Sequence, residues 1–356
     1  MPVSEKHLEY MKEKIAELCR IPSPTGFTRE IQKRLLDTFE GLRYRAWTTR
    51  KGSVVVQLNE RDGEIGPKET TILSAHIDTL GAIVRAIKSN GRLRLTPVGG
   101  YPLTNIITEN CLIHTYDGRA ISGTIQQCHS STHVYKDVNS VEKTDETVEV
   151  VLDERVESKK EVEALGIETG NYISFDPRTI LTERGFIKSR HLDDKASAGI
   201  LITLAKILRD EGYPEQALLN RKAYLLFTNY EEVGHGGSAG IPEDVEEILA
   251  VDMGAVGDDL GTDEYKVSIC MKDSNGPYDY ALTRMLIDLA KTEKLNYAVD
   301  IYPMYGSDAG AALRSGKDIR FALIGPGVSS SHGYERTHID GLSNTCRLLM
   351  SYLGMP

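Results

Sequence analysis

Leu8, Met11, Ile15 and Leu18 recur at three- and four-residue intervals and predict an amphipathic helix, which Pro22 and Pro24 stop. A second helix is expected to open at Thr25 or Gly26, with Phe27, Ile31, Leu35 and Phe39 on one face. Strand-like runs follow at 43–47, 53–58 and 70–75, the last delivering His76 to its end. From about 79 to 186 the helical period disappears. Short β-like pieces at 82–87, 91–96, 111–116, 119–125, 146–152 and 172–175 are punctuated by Asn90-Gly91, Gly99-Gly100, Asp117-Gly118 and Gly170-Asn171. That is the pattern of a compact, barrel-like β domain. Residues 136–160, rich in Lys, Asp and Glu, read as an exposed excursion from it.

After 187 helix and strand alternate again. Ala198, Leu201, Ala205 and Leu208 predict a long helix over about 194–210. The nearly continuous apolar run 223–229 suits a strand covered on both faces. Strand 248–252, helix 279–291, strands 297–302 and 320–324 and a last helix at about 342–353 complete the pattern. The simplest architecture is a mixed α/β sheet with helices on both faces, formed by 1–78 and 187–356 and interrupted by a β domain over 79–186. Insertions are tolerated where chain ends lie close together at a surface. Here both junctions fall beside His76 and Asp193, so the insert should rise from the rim of any site those residues build.

Composition narrows the function. A net charge of −10 over 356 residues argues against nucleic acid as a partner. Five scattered cysteines form no CxxC pair and suggest thiols in a reducing compartment, with neither a disulfide framework nor a zinc knuckle. The N-terminal residues show no secretory signal pattern, and no apolar run is long enough to span a membrane. A cytoplasmic protein without membrane contact is the expectation.

The candidate chemistry lies at predicted strand ends. His76-Ile77-Asp78 places two polar side chains on one face of an extended segment, one as a ligand and the other orienting it. Asp193-Asp194 precedes the long helix; Asp194 reads as its N-cap, and Asp193 could bridge two cations with its two oxygens. His191 and Lys195 share that turn. Glu231-Glu232 ends the apolar run AYLLFTN, so one glutamate can ligate while its neighbour transfers a proton. Asp252 in ILAVDMG repeats the motif of apolar strand and terminal acid. His332 lies in a polar loop with Glu335 able to brace it, and His338 competes with it. Asp308, between glycines, is either a substrate-side residue or a plain turn aspartate. Two divalent cations balance three of these acids and one hydroxide, whereas a single cation leaves a desolvated negative site.

The segments SAHIDTLGAIV, SRHLDDKASAG, NYEEVGHGG, VDMG, GSDAG and SSHGYERTH, in this order and spacing, resemble metallopeptidase family M42, the glutamyl- and deblocking-aminopeptidase type. The likeness runs over nearly the whole chain, including LTPVGG in the insert. It implies a zinc-peptidase-like, three-layer α/β catalytic domain with an inserted β-barrel dimerisation domain. It also implies two metal ions per subunit, zinc or cobalt. His76 and Asp252 would hold the first, Glu232 and His332 the second, and Asp193 would bridge them. Glu231 would be the general base and acid and Asp78 the carboxylate behind the ligands, with a cis peptide joining the paired aspartates. The substrates implied are short peptides trimmed at their N-termini, and the assembly a homo-oligomer of dimers, up to a tetrahedral dodecamer. An amidohydrolase removing acyl groups, or a carboxypeptidase, would use the same two-metal site. His191, Lys195, His235 and the SSHGYERTH setting depart from the commoner members, which loosens any inference of side-chain preference.

Overall fold

The computed structural model describes residues 2–59, 69–211, 218 and 221–355. Helix α1 (Glu5–Arg20) is capped by the Ser4 hydroxyl and ends just before the two prolines. Helix α2 (Arg29–Gly41) starts later than its apolar pattern suggested, after Thr28, because the Thr25 N–H bonds the Thr79 carbonyl and the Phe27 N–H turns back to the Pro24 carbonyl. Strands β1 (Arg45–Thr48), β2 (Val54–Gln57) and β3 (Glu69–His76) follow.

The next six strands close into a barrel. They are β4 (Gly81–Ile87), β5 (Leu93–Val98), β6 (Asn110–His114), β7 (Ala120–Gln127), β8 (Val148–Leu152) and β9 (Tyr172–Phe175), in the order β4-β5-β8-β7-β6-β9. Val84, Leu95, Ile113, Ile125, Val150 and Ile173 fill the interior. Alternation of apolar and polar residues along each strand puts these side chains inward, and closure removes exposed strand edges. Within the charged excursion and just beyond it, a six-residue helix, α3 (Lys159–Ala164), buries Val162 against the barrel. It is too short to show a helical period in sequence.

Beyond the barrel come β10 (Ile180–Leu181), β11 (Phe186–Ser189), α4 (Leu192–Asp210), β12 (Arg221–Thr228), β13 (Glu247–Val251), β14 (Gly254–Ala255) and β15 (Val267–Asp273). Then follow β16 (Gly276–Pro277), α5 (Tyr280–Thr292), β17 (Tyr297–Ile301), α6 (Asp308–Arg314), β18 (Arg320–Val328), β19 (Glu335–His338) and α7 (Ile339–Tyr352). The main sheet runs β1-β2-β12-β3-β13-β18-β15-β16, with β17 also paired to β15. At its centre β12, β3, β13 and β18 are mutually parallel. Helices α1, α2, α4, α5 and α7 pack on one face around Ile15, Phe39, Leu201 and Leu349. The other face carries α6 and the segment around Ile241 and Val245. Both faces are thus covered, as the unbroken apolar character of β12 requires.

Three local expectations change. Asp194 does not cap α4 with its side chain: its Oδ2 accepts the His76 N–H at 3.3 Å and its buried Oδ1 has no hydrogen-bond partner among the described residues. Asp308 is no turn residue but the first residue of α6, and it is buried. The segment 267–273, not read as a strand, is β15, antiparallel to β18.

Candidate active site

Parallel strands end on a common edge, and open α/β sheets gather chemistry beyond their carboxyl ends. His76 ends β3, Glu231 and Glu232 follow β12, and Asp252 follows β13. Sharp turns aim these groups inward. Tyr230, His191 and His332 all adopt left-handed backbone conformations, with φ of 73°, 71° and 61°. The turn after Glu232 closes directly on the start of α6. A Cβ on Gly236 would lie 2.1 Å from Asp308 Oδ1, and one on Gly237 2.2 Å from the Asp308 carbonyl oxygen, so both positions need glycine.

Asp193 sits at the centre. Its Oδ1 is 2.9 Å from His76 Nε2 and its Oδ2 is 3.4 Å from His332 Nε2. Glu232 Oε2 lies 3.5 Å from that same His332 nitrogen, whereas Glu231 Oε2 lies 3.8 Å from His76 Nε2. His76, Asp193 and Asp252 bring ligand atoms within 4.8 Å of one another, all buried. The peptide joining Asp193 and Asp194 is cis.

Behind these residues lies a layer that fixes them. Asp78, fully buried, accepts from the Thr25 hydroxyl at 2.7 Å and from the N–H groups of Glu231 and Glu232 at 3.2 and 3.4 Å. The Asp78 carbonyl oxygen is 2.9 Å from His76 Nδ1, which leaves Nε2 as the nitrogen facing Asp193. Glu335 accepts the His332 N–H and the Asp193 N–H with its two oxygens, each at 3.1 Å. It therefore braces both the loop, as its spacing suggested, and the paired aspartates, which spacing could not show. The barrel joins in: the Gly100 carbonyl meets His332 Nδ1, and the Asn105 amide donates to the His332 carbonyl at 3.0 Å.

The electrostatics are those of acids crowded around two imidazoles. Burial and neighbouring carboxylates push Asp252 up to about 7, and Glu231 and Glu232 well above the usual carboxylate range. Burial is opposed at His332 by Asp193 and Glu232, which raise it to about 10, and His76 rises well above its ordinary value for similar reasons. Asp193, facing both imidazoles, falls below its ordinary value despite burial. Glu232 Oε1 is buried with no hydrogen-bond partner. Buried carboxylates and imidazoles with an unmet oxygen are what a divalent cation satisfies, and this mixed O/N donor set suits zinc, cobalt or manganese.

The competing residues point elsewhere. Lys195 Nζ donates to the Ile21 carbonyl at 2.8 Å, and burial lowers it to about 8. His338 caps α7 and contacts the Arg184 carbonyl. Asp308 does not line the cavity; its Oδ2 accepts from Thr228 at 2.7 Å beneath the Glu231 turn. Thr25, read only as a helix start, and Tyr305 were not singled out as site residues in the sequence. Tyr305 follows a strand in YPMYG, and its hydroxyl donates to the Met253 carbonyl at 2.9 Å, a contact no local motif announces. A cavity of about 430 Å³ opens beside Asp193, Glu231, Glu232 and Asp252.

The model of the family described as M42 glutamyl aminopeptidase matches residues 52–348. YhfE of Bacillus subtilis (strain 168), itself named only as a candidate aminopeptidase, is 45% identical over 344 residues, 97% of each chain. Among solved structures, aminopeptidase APDkam598 from the archaeon Desulfurococcus kamchatkensis superposes with a TM-score of 0.84 at 21% identity, covering 99% of this chain and 96% of its own. The Pyrococcus horikoshii TET1 peptidase, described as assembling into a tetrahedron or a large octahedral shell, gives a TM-score of 0.81 at 21% identity over 95% and 98%. These two likenesses concern the fold.

Proposed function

The chain belongs to the M42 glutamyl aminopeptidase family, and from that premise we propose that it is a two-metal aminopeptidase trimming short peptides from their N-termini. One observation carries the two-metal reading: the two oxygens of Asp193 face two different imidazoles, His76 and His332. His76 and Asp252 would hold one ion and Glu232 and His332 the other, with Asp193 shared between them. Zinc or cobalt fits these donors. When bound, the ions polarise the scissile carbonyl, acidify a water and neutralise the clustered acids.

The chain's own residues do the rest. Glu231 stands on the His76 side of Asp193 without being needed as a ligand, so it takes the proton of the attacking water and returns it to the leaving amine. Its turn is held by Asp78, which accepts both glutamate N–H groups. Glu335 fixes Asp193 relative to His332. A requirement for a free α-amine distinguishes this reading from deacylase or carboxypeptidase chemistry at the same site.

Residues 79–186 form the subunit-contacting unit of a homo-oligomer in this reading. The closed barrel supports that assignment as a self-contained body with its own core. Calorimetric titration of zinc or cobalt into stripped protein tests the metal count. Two equivalents are expected, with Asp193→Asn weakening both. A single equivalent, or two unaffected by Asp193→Asn, would remove the bridge.

A further inference from the structure

The cavity beside the acid cluster has a second wall of different chemistry. Met253 and Ala255 follow Asp252 along the chain, and Met304 and Tyr305 follow β17; all four line the cavity. The Tyr305 hydroxyl bonds the Met253 carbonyl and ties the two segments into one surface. That bond also satisfies the hydroxyl, so the tyrosine presents its ring as apolar surface. Pro102, from the barrel side, adds to the same lining. Met304 is 93% exposed, a flexible thioether free to fold over whatever enters.

Among the described residues, no lysine or arginine lines this cavity. Three described arginine and lysine side chains in its neighbourhood are already engaged. Arg190 donates to the carbonyls of Asn105 and Gly333 and pairs with Glu109. Lys51 donates to the carbonyls of His235 and Gly236. Arg314 reaches the Gly234 carbonyl at 3.2 Å from an exposed position. An acidic side chain turned toward the Met253 and Met304 side of the cavity would meet a thioether-lined wall, with no lysine or arginine among the lining residues to pair with it.

We propose that the wall of Met253, Ala255, Met304 and Tyr305 receives the side chain of the peptide's first residue and selects apolar residues of leucine or methionine size over acidic ones. This rests on the aminopeptidase reading and deepens it. It also sets the chain apart from the glutamyl preference in its family's description. The physical basis is that an apolar side chain exchanges water for adaptable apolar contacts, whereas a carboxylate loses hydration without gaining a partner.

The test compares kcat/KM for anilides of leucine, methionine, alanine and glutamate with metal-loaded enzyme, changing only the first residue. Leucine and methionine should exceed glutamate by at least about tenfold. Met304→Lys should narrow the leucine-to-glutamate ratio, and Arg314→Ala should leave that ratio unchanged. Glutamate equal to or better than leucine overturns the inference while leaving the aminopeptidase reading intact. A ratio indifferent to Met304→Lys, or one that changes in Arg314→Ala, also overturns it. No cleavage of any anilide, alanine included, would instead strike the aminopeptidase reading, and the inference would fall with it.

Discussion

Asp78→Asn is the substitution whose effect the structure allows to be worked out most fully. The carboxylate has three donors, and asparagine offers one acceptor oxygen and one NH2. Placed with its oxygen toward the Glu231 N–H, at 3.2 Å, its NH2 meets the Thr25 hydroxyl, which can rotate to accept. The same NH2 then faces the Glu232 N–H, donor against donor, where the carboxylate had accepted at 3.4 Å. The opposite placement moves the conflict to the Glu231 N–H. Either way one glutamate loses its anchor. A hydrogen bond to a charged acceptor contributes about 1.5–3 kcal/mol, so geometry that depends on it should lose roughly 10- to 150-fold. Groups that orient metal ligands commonly cost a similar 10- to 100-fold. The first placement keeps the shorter contacts, so the loss should fall on Glu232 and appear as weaker retention of the ion near His332. Asp78→Ala would strand three donors at about 1–3 kcal/mol each, a sum comparable with a whole domain's stability, and should not fold. Steady-state rates, bound metal by elemental analysis and thermal unfolding by circular dichroism separate these cases. An Asp78→Asn enzyme within threefold of the parent rate and holding its full metal complement would refute the reasoning.

Glu231→Gln should cost roughly 10²–10⁴-fold in kcat while keeping both metals, since the residue moves a proton and is not needed as a ligand; metal lost in proportion to rate would contradict that role. In metal-stripped protein, stability should fall as pH rises. Folded Asp252 and Glu335 hold protons up to about 7 and 8, respectively, whereas their unfolded counterparts lose them near 4, and folded His332 holds its proton up to about 10 against an ordinary 6.5. Between pH 5 and 8 the native state thus binds more protons than the unfolded state, and urea midpoints should decline across that window; a rise would show that the acids are not crowded as described. Light scattering should give a mass several times the 39.4 kDa of one chain, and a monomer would end the assignment of the barrel as a subunit contact.

Much of the fold was legible because each element announces itself by period. The six barrel strands fall within a few residues of their apolar alternation, and the acid-ended strands β12 and β13 carry unbroken apolar runs that only a covered sheet explains. Helices short of two full turns stayed hidden, α3 and α6 among them. β15 was missed because Ser268 and Lys272 interrupt its apolar run. At the site, residue type and strand-end position singled out His76, Asp193, Glu231, Glu232, Asp252 and His332, but could not choose between His332 and His338 or between the glutamates. Distances separate the two histidines: His332 faces Asp193, while His338 turns to Arg184. The supporting contacts were the least legible. Thr25 meets Asp78 across 53 residues, and Glu335 meets Asp193 across 142, so nothing local marks either pairing.

The central claim, a two-metal site that removes single residues from free N-termini, is tested most directly by mass spectrometry of a decapeptide incubated with stripped enzyme before and after zinc or cobalt is restored. The expected result is no cleavage without metal, then a ladder of products each shorter by one N-terminal residue, with the N-acetylated peptide untouched. Shortening from the C-terminus, cuts within the chain, release of the acetyl group alone, or an unchanged peptide in metal-loaded enzyme would contradict the account.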